Sequence, residues 1–389
     1  MSARIGPPAA RSREALSLSA AAAAGRFRLQ QCADCGGYAY PARDACPACW
    51  SADLQWRDAP DAGTLVSDTV QRHSFNEWFG ARSPWRMGTV SLDAGPVALT
   101  HVHESLEIGQ RVRVIARTDA SGQGVLIALP ETGDSTMTDD PNLSHLVCDP
   151  AGRSILVTDI GTVAGRAVAA ALLEAGAARV HGGYSQAEAP EIDGVDAIPL
   201  DPADGQSVAE LARRIGDSVD QVVFSGGGAW PGTALGEGDA VDAEDEMAIN
   251  YFGLLNLARA FVPRLQARAA DGGEAGHAWV NLLSVHALCG GTGFGTSAAS
   301  QAAALSLSQS LRAELVGTGV RVVDVLTGPL EADGASAPPP RVRPAQLGAA
   351  VVAALQQGLE RVPVGPAAED LLNRYEENPW VLEREALLS

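Results

Sequence analysis

The sequence contains no lysine; all 28 of its basic residues are arginine. A chain without lysine has no catalytic lysine in any register. Tyrosine is scarce too, with none between Tyr251 and Tyr375. Against the 28 arginines stand 47 acidic residues, a net charge of −19. That balance excludes a nucleic-acid partner, which demands a basic surface, and an anionic membrane surface. No apolar run reaches the roughly 18–20 residues of a membrane-crossing helix. The early stretch ALSLSAAAAAG imitates the apolar part of a signal peptide, but Arg26 and Arg28 follow at once, and then a cysteine cluster suited to reducing compartments. A leading helix or flexible segment over 1–25 in a cytoplasmic protein is the plainer reading. Hydrophobic residues make up 46% of the 389, enough to build more than one buried core.

The chain divides into a small zinc ribbon (26–58), a β-barrel (59–131), a polar linker (132–150) and an α/β region (151–389). In the ribbon, Cys32-x2-Cys35 and Cys46-x2-Cys49 stand ten residues apart. Two such knuckles supply four thiolates to one tetrahedral zinc, and a zinc with four protein ligands is structural because no coordination position stays open. The competing reading is redox CxxC pairs or disulfides. No βαβ pattern surrounds either pair, and disulfides suit secreted chains.

Residues 59–131 alternate short β-like runs with turn signals: GTLVSDTVQRH, WRMGTVSLDAG, PVALTHVHE, GQRVRVIAR and GVLIALP. That spacing predicts a small antiparallel barrel. His101 and His103 share a strand face, as a metal pair or as ordinary strand positions near a surface. Trp78 and Trp85 flank a loop, where they pave a binding surface or cap the barrel. After ETGDSTMTDDPN, strand and helix alternate from Ser154 onward (SILVTDI, GRAVAAALLEAGA, ARVHGGY, QVVFSGG, WVNLLSV, VRVVDVL). Short Val/Ile/Leu runs between helices predict a Rossmann-type, doubly wound parallel sheet.

Residues 26–131 resemble the DUF35 family, a rubredoxin-like zinc ribbon followed by an OB-fold. The resemblance rests on GRFRLQQCADCGGYAYPARDACPAC, the GT of GTLVS, SLDAGPVALTHV and LEIGQRVRV. It implies a partner of thiolase-fold enzymes acting on acyl-CoA thioesters, with an acyl-CoA as a ligand shared with that partner. Residues 154–389 resemble the short-chain dehydrogenase/reductase family through VTDIGTVAGRAVAAALLEAGA, Asp201, FSGGG, Asn250, Ser284, the helix at 297–316 and TGP at 327–329.

Measured against that second family, the losses are selective. Its cofactor turn reads TGxxxGxG; here Thr158, Gly161 and Gly165 remain, while Asp159 and Val163 replace two glycines. Asp159 puts a carboxylate where a pyrophosphate belongs, and as an N-cap it would take the anion position itself. HGGYSQ after the second strand offers no acid for a ribose hydroxyl and no Arg for a 2′-phosphate. The catalytic Tyr and Lys positions hold Ser297 and Gln301. A serine hydroxyl titrates far above the ~10 of tyrosine, so conventional family catalysis is excluded and NAD(P) is not expected. A Ser284/His286 pair for acyl transfer is the sharper alternative, without a GxSxG elbow or a carboxylate orienter. Asn250 and Ser284 read better as vestigial groups that satisfy backbone hydrogen bonds, and Asp201 as a vestigial cofactor residue.

The helices at 248–266 and 297–315 keep apolar faces at helical spacing; in the resembling family they build a dimer interface. The expectation is a non-catalytic accessory subunit. Its ribbon and barrel would support a thiolase-fold enzyme (a ketothiolase or aldolase). Its dehydrogenase-like part would self-dimerise or pair with an active dehydrogenase, with Ser297 and Gln301 suiting a small-residue interface helix. The alternatives left open are an NAD(P)-dependent 3-hydroxyacyl-CoA dehydrogenase with a rearranged site and a stand-alone acyl-CoA-binding module.

Overall fold

The computed structural model describes residues 6–8, 12–186, 188–227, 240–271, 276–291, 294–331 and 340–386. They form two compact units. The first runs to Cys148 and takes in Val316–Gly319 and Gln356–Glu360; the second holds Asp149–Leu315, Val320–Leu355 and the chain from Arg361.

The first unit opens with α1 (Ala15–Ala23), then β1 (Arg28–Cys32), β2 (Tyr38–Ala39) and β3 (Leu54–Asp58), which make a three-stranded antiparallel sheet in the order β2-β1-β3. Next come β4 (Ala62–Gln71), α2 (Glu77–Gly80), β5 (Trp85–Leu92), β6 (Val97–Val102), β7 (Arg111–Thr118) and β8 (Gly124–Pro130). The five strands close into a barrel, β4-β5-β6-β8-β7. Alternation along the strands puts Leu65, Val90, Val112, Val114 and Ala116 in its interior, none measurably exposed. Leu18 and Ala22 of α1 join the same cluster, so the alanine-rich leader is a helix that covers part of the barrel. Arg86 reaches Asp68 and the carbonyls of His103, Glu104 and Leu106, pinning the β6–β7 connection.

The expected linker is not a free tether from Met137 onward. Met137, Leu143, Leu146 and Val147 bury themselves against Trp78, Trp85, Ile127 and Leu129. The Asp140 carboxylate, 2% exposed, accepts N–H bonds from Glu104, Asn142 and Leu143. Four apolar side chains scattered through a polar run find cover under two indoles, so composition alone misjudges the segment. Trp78 and Trp85 therefore cap the barrel.

The second unit contains β9 (Ser154–Val157), α3 (Val163–Glu174), β10 (Arg179–Tyr184), β11 (Val195–Pro199), α4 (Gly205–Ile215), β12 (Gln221–Ser225) and α5 (Ala240–Met247). A π-helical turn (Ala248–Gly253) leads into α6 (Leu254–Ala270). Then follow β13 (His277–Ser284), α7 (Gly295–Leu315), β14 (Val320–Thr327), α8 (Pro344–Gln357), β15 (Arg361–Val364), α9 (Pro366–Glu377) and α10 (Pro379–Ala386). The seven strands are all parallel, in the order β11-β10-β9-β12-β13-β14-β15. Strand order reverses between β9 and β12, and ligands of doubly wound sheets bind beyond the carboxyl ends of the strands at such a reversal. The core joins Leu156, Val222, Phe224 and Trp279 of the sheet to Val208 and Leu211 of α4, Leu257 and Phe261 of α6, and Ala304 and Leu311 of α7.

Candidate functional site

Two places in the chain bring reactive groups together. The first is the ribbon. Cys32 ends β1 and Cys35 lies in the following turn, closed by the Gly36 N–H donating to the Cys32 carbonyl. Cys46 and Cys49 form the second knuckle, where the Trp50 N–H donates to the Cys46 carbonyl and Trp50 takes a φ of 66°. The buried Gln30 carboxamide holds this knuckle to β1: Nε2 donates to the Arg43 carbonyl at 2.9 Å and Oε1 accepts the Arg43 N–H at 2.7 Å. All four sulfurs lie within 4.8 Å of one another. The nearest pairs run across the knuckles, Cys32 to Cys49 at 3.5 Å and Cys35 to Cys46 at 3.6 Å. A Zn–S bond of about 2.3 Å puts tetrahedral sulfurs about 3.8 Å apart, so the thiolates fit one zinc and their spacing excludes disulfides. Backbone N–H groups of Cys49 and Ala48 aim at Cys46 Sγ and hold that thiol down at about 6. The site is closed by four protein ligands and is structural.

His101 and His103 do not form a second centre. Among the described residues the four cysteines are the one His/Cys/Asp/Glu group arranged to hold a metal. Both histidines are buried, which corrects the surface position expected for them. His101 Nδ1 accepts from Trp85 Nε1 at 2.8 Å, and burial lowers its pKa to about 4. His103 bonds Ser105 Oγ and Asp139.

The second place lies at the strand-order reversal. The turn from β9 into α3 is tied to β12: Thr158 Oγ1 accepts the Ser225 N–H at 2.9 Å, and Thr162 Oγ1 lies 3.4 Å from Ser225 Oγ. Thr162, not Asp159, is the N-cap of α3, its hydroxyl accepting the Gly165 N–H at 3.1 Å. A Cβ at Gly165 would overlap the Asp159 carbonyl oxygen, so this glycine serves the turn itself. The half-buried Asp159 carboxylate folds back into the turn and accepts the Gly161 N–H at 2.7 Å. Burial raises its pKa above the usual carboxylate range, opposed by the N–H groups of Gly161 and Thr162, the Arg166 charge and the Gln186 side chain. Gln186, two residues past β10, lays its carboxamide where a Cβ on Gly161 would be. Sequence reasoning passed over Gln186, looking only for an acid or an Arg there. Asp201 is exposed and accepts the Ala203 N–H, a local turn contact.

Deeper in the same crevice lie the other four positions. Gln301, 3% exposed, accepts the Ser284 N–H on Oε1 at 3.0 Å and donates Nε2 to the Gly227 carbonyl at 3.3 Å. Ser284 Oγ accepts the His286 N–H at 3.2 Å and caps the short helical turn that follows β13. The His286 ring stacks on Phe294 with centroids 4.6 Å apart, and no bond from that ring to Ser284 is formed among the described residues. The proposed Ser/His pair is therefore not assembled. Ser297 is 1% exposed, and its Oγ finds no hydrogen-bond partner among the described residues. Asn250 sits in the π-helical turn and donates Nδ2 to Ser300 Oγ at 3.0 Å; its partner is a side chain, not the backbone group expected. Ser297 and Gln301 both lie on the inner face of α7. The exposed face is carried by Ala299, Ala302, Ser306, Gln309, Ser310, Ala313 and Glu314.

Beneath α7 runs a buried polar network that sequence reading did not mark. The Asp324 carboxylate, fully buried, accepts from Arg312 at 2.6 Å, Ser308 Oγ at 2.5 Å and Asn281 Nδ2 at 3.0 Å. The signal was one Asn and one Asp inside otherwise apolar strands, WVNLL and VVDVL.

Comparison with known proteins finds three family models along the chain. Residues 19–55 match the family model described as ChsH2, rubredoxin-like zinc ribbon domain, and residues 56–117 match ChsH2, C-terminal OB-fold domain. Residues 153–339 match the short chain dehydrogenase model. The chain belongs to the short-chain dehydrogenase family, with ChsH2-type ribbon and OB-fold domains ahead of the dehydrogenase-type unit. The 1-deoxy-11-beta-hydroxypentalenate dehydrogenase of Streptomyces avermitilis is 36% identical over 174 residues, covering 44% of this chain and 57% of that protein. The chain thus spans little more than half of that relative. The Streptomyces arenae enzyme of the same name is 33% identical over 206 residues, 48% of this chain and 71% of its own. A short chain dehydrogenase from Burkholderia cenocepacia J2315, solved in complex with NADP, superposes with a TM-score of 0.55 at 30% identity, covering 61% of this chain and 99% of its own.

Proposed function

We propose that this chain is a non-catalytic accessory subunit of an acyl-CoA-processing assembly. Its ribbon and barrel support a thiolase-fold enzyme, a ketothiolase or aldolase that cleaves carbon–carbon bonds in β-oxidation-like degradation. Its dehydrogenase-type unit serves self-association or pairing with an active dehydrogenase through α6 and α7. The observation that carries the reading is the commitment of Gln301: its carboxamide ties Ser284 N–H to the Gly227 carbonyl. A neutral strut there has no charge with which to lower a neighbour's pKa, and the buried Ser297 Oγ has no hydrogen-bond partner among the described residues. A nicotinamide cofactor, which the family implies, does not fit the turn as it stands. Asp159 and Gln186 occupy the place where bare backbone must approach a pyrophosphate, so no hydride step is assigned.

Co-expression with a thiolase-fold subunit tests the proposal, and a stable heteromeric complex is expected. Absence of any such complex, or turnover of a 3-ketoacyl-CoA with NADPH by the isolated chain, would overturn it. The second reading, an NAD(P)-dependent 3-hydroxyacyl-CoA dehydrogenase, draws on the dehydrogenase names of the relatives and the NADP in the Burkholderia complex. The same turnover assay decides between the two.

A further inference from the structure

We infer that the nucleotide turn is plugged by the chain itself, with Asp159 as the internal anion and Gln186 as its cover, so that the site excludes dinucleotides by occupancy and not only by lost catalytic groups. Backbone N–H groups at the start of a helix attract anions. In the β9–α3 turn one of those groups, the Gly161 N–H, already donates to the Asp159 carboxylate at 2.7 Å. The Gln186 carboxamide lies where a Cβ on Gly161 would stand, and its side chain helps to hold the Asp159 carboxylate in its charged form. Arg166 directs Nη1 to the Gly161 carbonyl at 2.9 Å and so braces the turn.

An incoming pyrophosphate would meet three obstacles together. The Gly161 N–H it would use is taken, a fixed negative charge repels it, and a carboxamide covers the glycine over which it could approach. Asp159 is the main obstacle because it is part of the turn and half-buried. Gln186 is exposed and can swing aside at small cost, so its contribution is the lesser one.

The inference rests on the non-catalytic reading of this unit, yet it fails separately. NADPH is titrated into the full-length chain by calorimetry, for the wild type, Asp159→Gly, and Asp159→Gly combined with Gln186→Ala. The double variant is expected to bind at least about tenfold more tightly than the wild type, with Asp159→Gly supplying most of the gain. Inorganic pyrophosphate should follow the same order, since the plug acts on the anion. Equal affinities in wild type and double variant, whether both bind or neither does, overturn the plug. Should Asp159→Gly fail to fold by circular dichroism, Asp159→Asn removes the charge in nearly the same shape and must also tighten binding. Complex formation with a thiolase-fold subunit is measured on the same proteins. Its absence for the wild-type chain counts against the accessory role alone and leaves the binding comparison between wild type and variants untouched.

Discussion

The ribbon and the doubly wound unit kept different things. In the ribbon the reactive groups are the structure: four cysteine sulfurs within 4.8 Å of one another hold two turns and three short strands together. No replacement can preserve that fold, because so small a piece has little apolar core of its own. In the doubly wound unit the framework is independent of the chemistry. Seven parallel strands and a large apolar cluster stand without resting on Asp159, Ser297 or Gln301, which lie in the β9–α3 turn and on the inner face of α7. A site that carries a fold resists loss, whereas a site resting on a fold can be refilled with side chains that only brace it.

Four measurements would break or sharpen that contrast. The largest effect is expected at the ribbon. Metal analysis should find one zinc per chain, and Cys46→Ser or exhaustive chelation should unfold residues 26–58. About 10–16 kcal/mol of apparent binding free energy is at stake in such sites. Limited proteolysis reads the result, and an intact ribbon without zinc would erase the contrast. Next comes the framework under α7. Asp324→Ala leaves the Arg312 guanidinium and the Asn281 amide facing an empty buried position, and the cost should be about 3–5 kcal/mol in denaturant unfolding of the second unit.

A pH titration probes the barrel. His101 has its folded-state pKa pushed down to about 4 by burial, below the ordinary value of about 6.5. The unfolded chain therefore binds the extra proton first. This contribution is complete above about pH 6.5 and is lost as pH falls toward 4, at most about 3 kcal/mol. His101→Asn should flatten that part of the stability profile relative to the wild type; identical slopes would sink the assignment. The smallest pair sits in the refilled site. Gln301→Ala frees the Ser284 N–H and the Gly227 carbonyl and should cost about 1–3 kcal/mol. Ser297→Ala removes a hydroxyl without a partner among the described residues and should stay within about 0.5 kcal/mol. A reversed order would mean that Ser297, not Gln301, is the working residue.

Much of this was legible from neighbours in the chain. The CxxC spacing located the ribbon, alternation located the barrel strands, and the apolar runs marked the central strands β9, β10, β12, β13 and β14. The strands sequence reading passed over are β11 and β15, the two at the sheet edges. VDAIP is short and carries an Asp, and RVPV carries a Pro, which edge strands tolerate because one side needs no ladder bonds. The segment around Leu143 reads as a linker because its composition is polar and its few apolar residues have no period. Ser297 and Gln301, expected to suit an interface helix, point inward. A helical repeat shows that two faces exist, not which one meets the sheet.

Sequence by itself determined the ligand set of the metal site, the absence of any lysine and the absence of a tyrosine between Tyr251 and Tyr375. These are facts of covalent composition read at fixed spacing, and no folding alters them. Tertiary structure alone decided that Gln186 covers Gly161, that Gln301 spans from Ser284 to Gly227, and that Met137 to Val147 pack beneath two indoles. Each of those contacts joins residues distant along the chain. It exists only where strand register and helix approach bring the two within a few ångströms, and no local pattern encodes that distance.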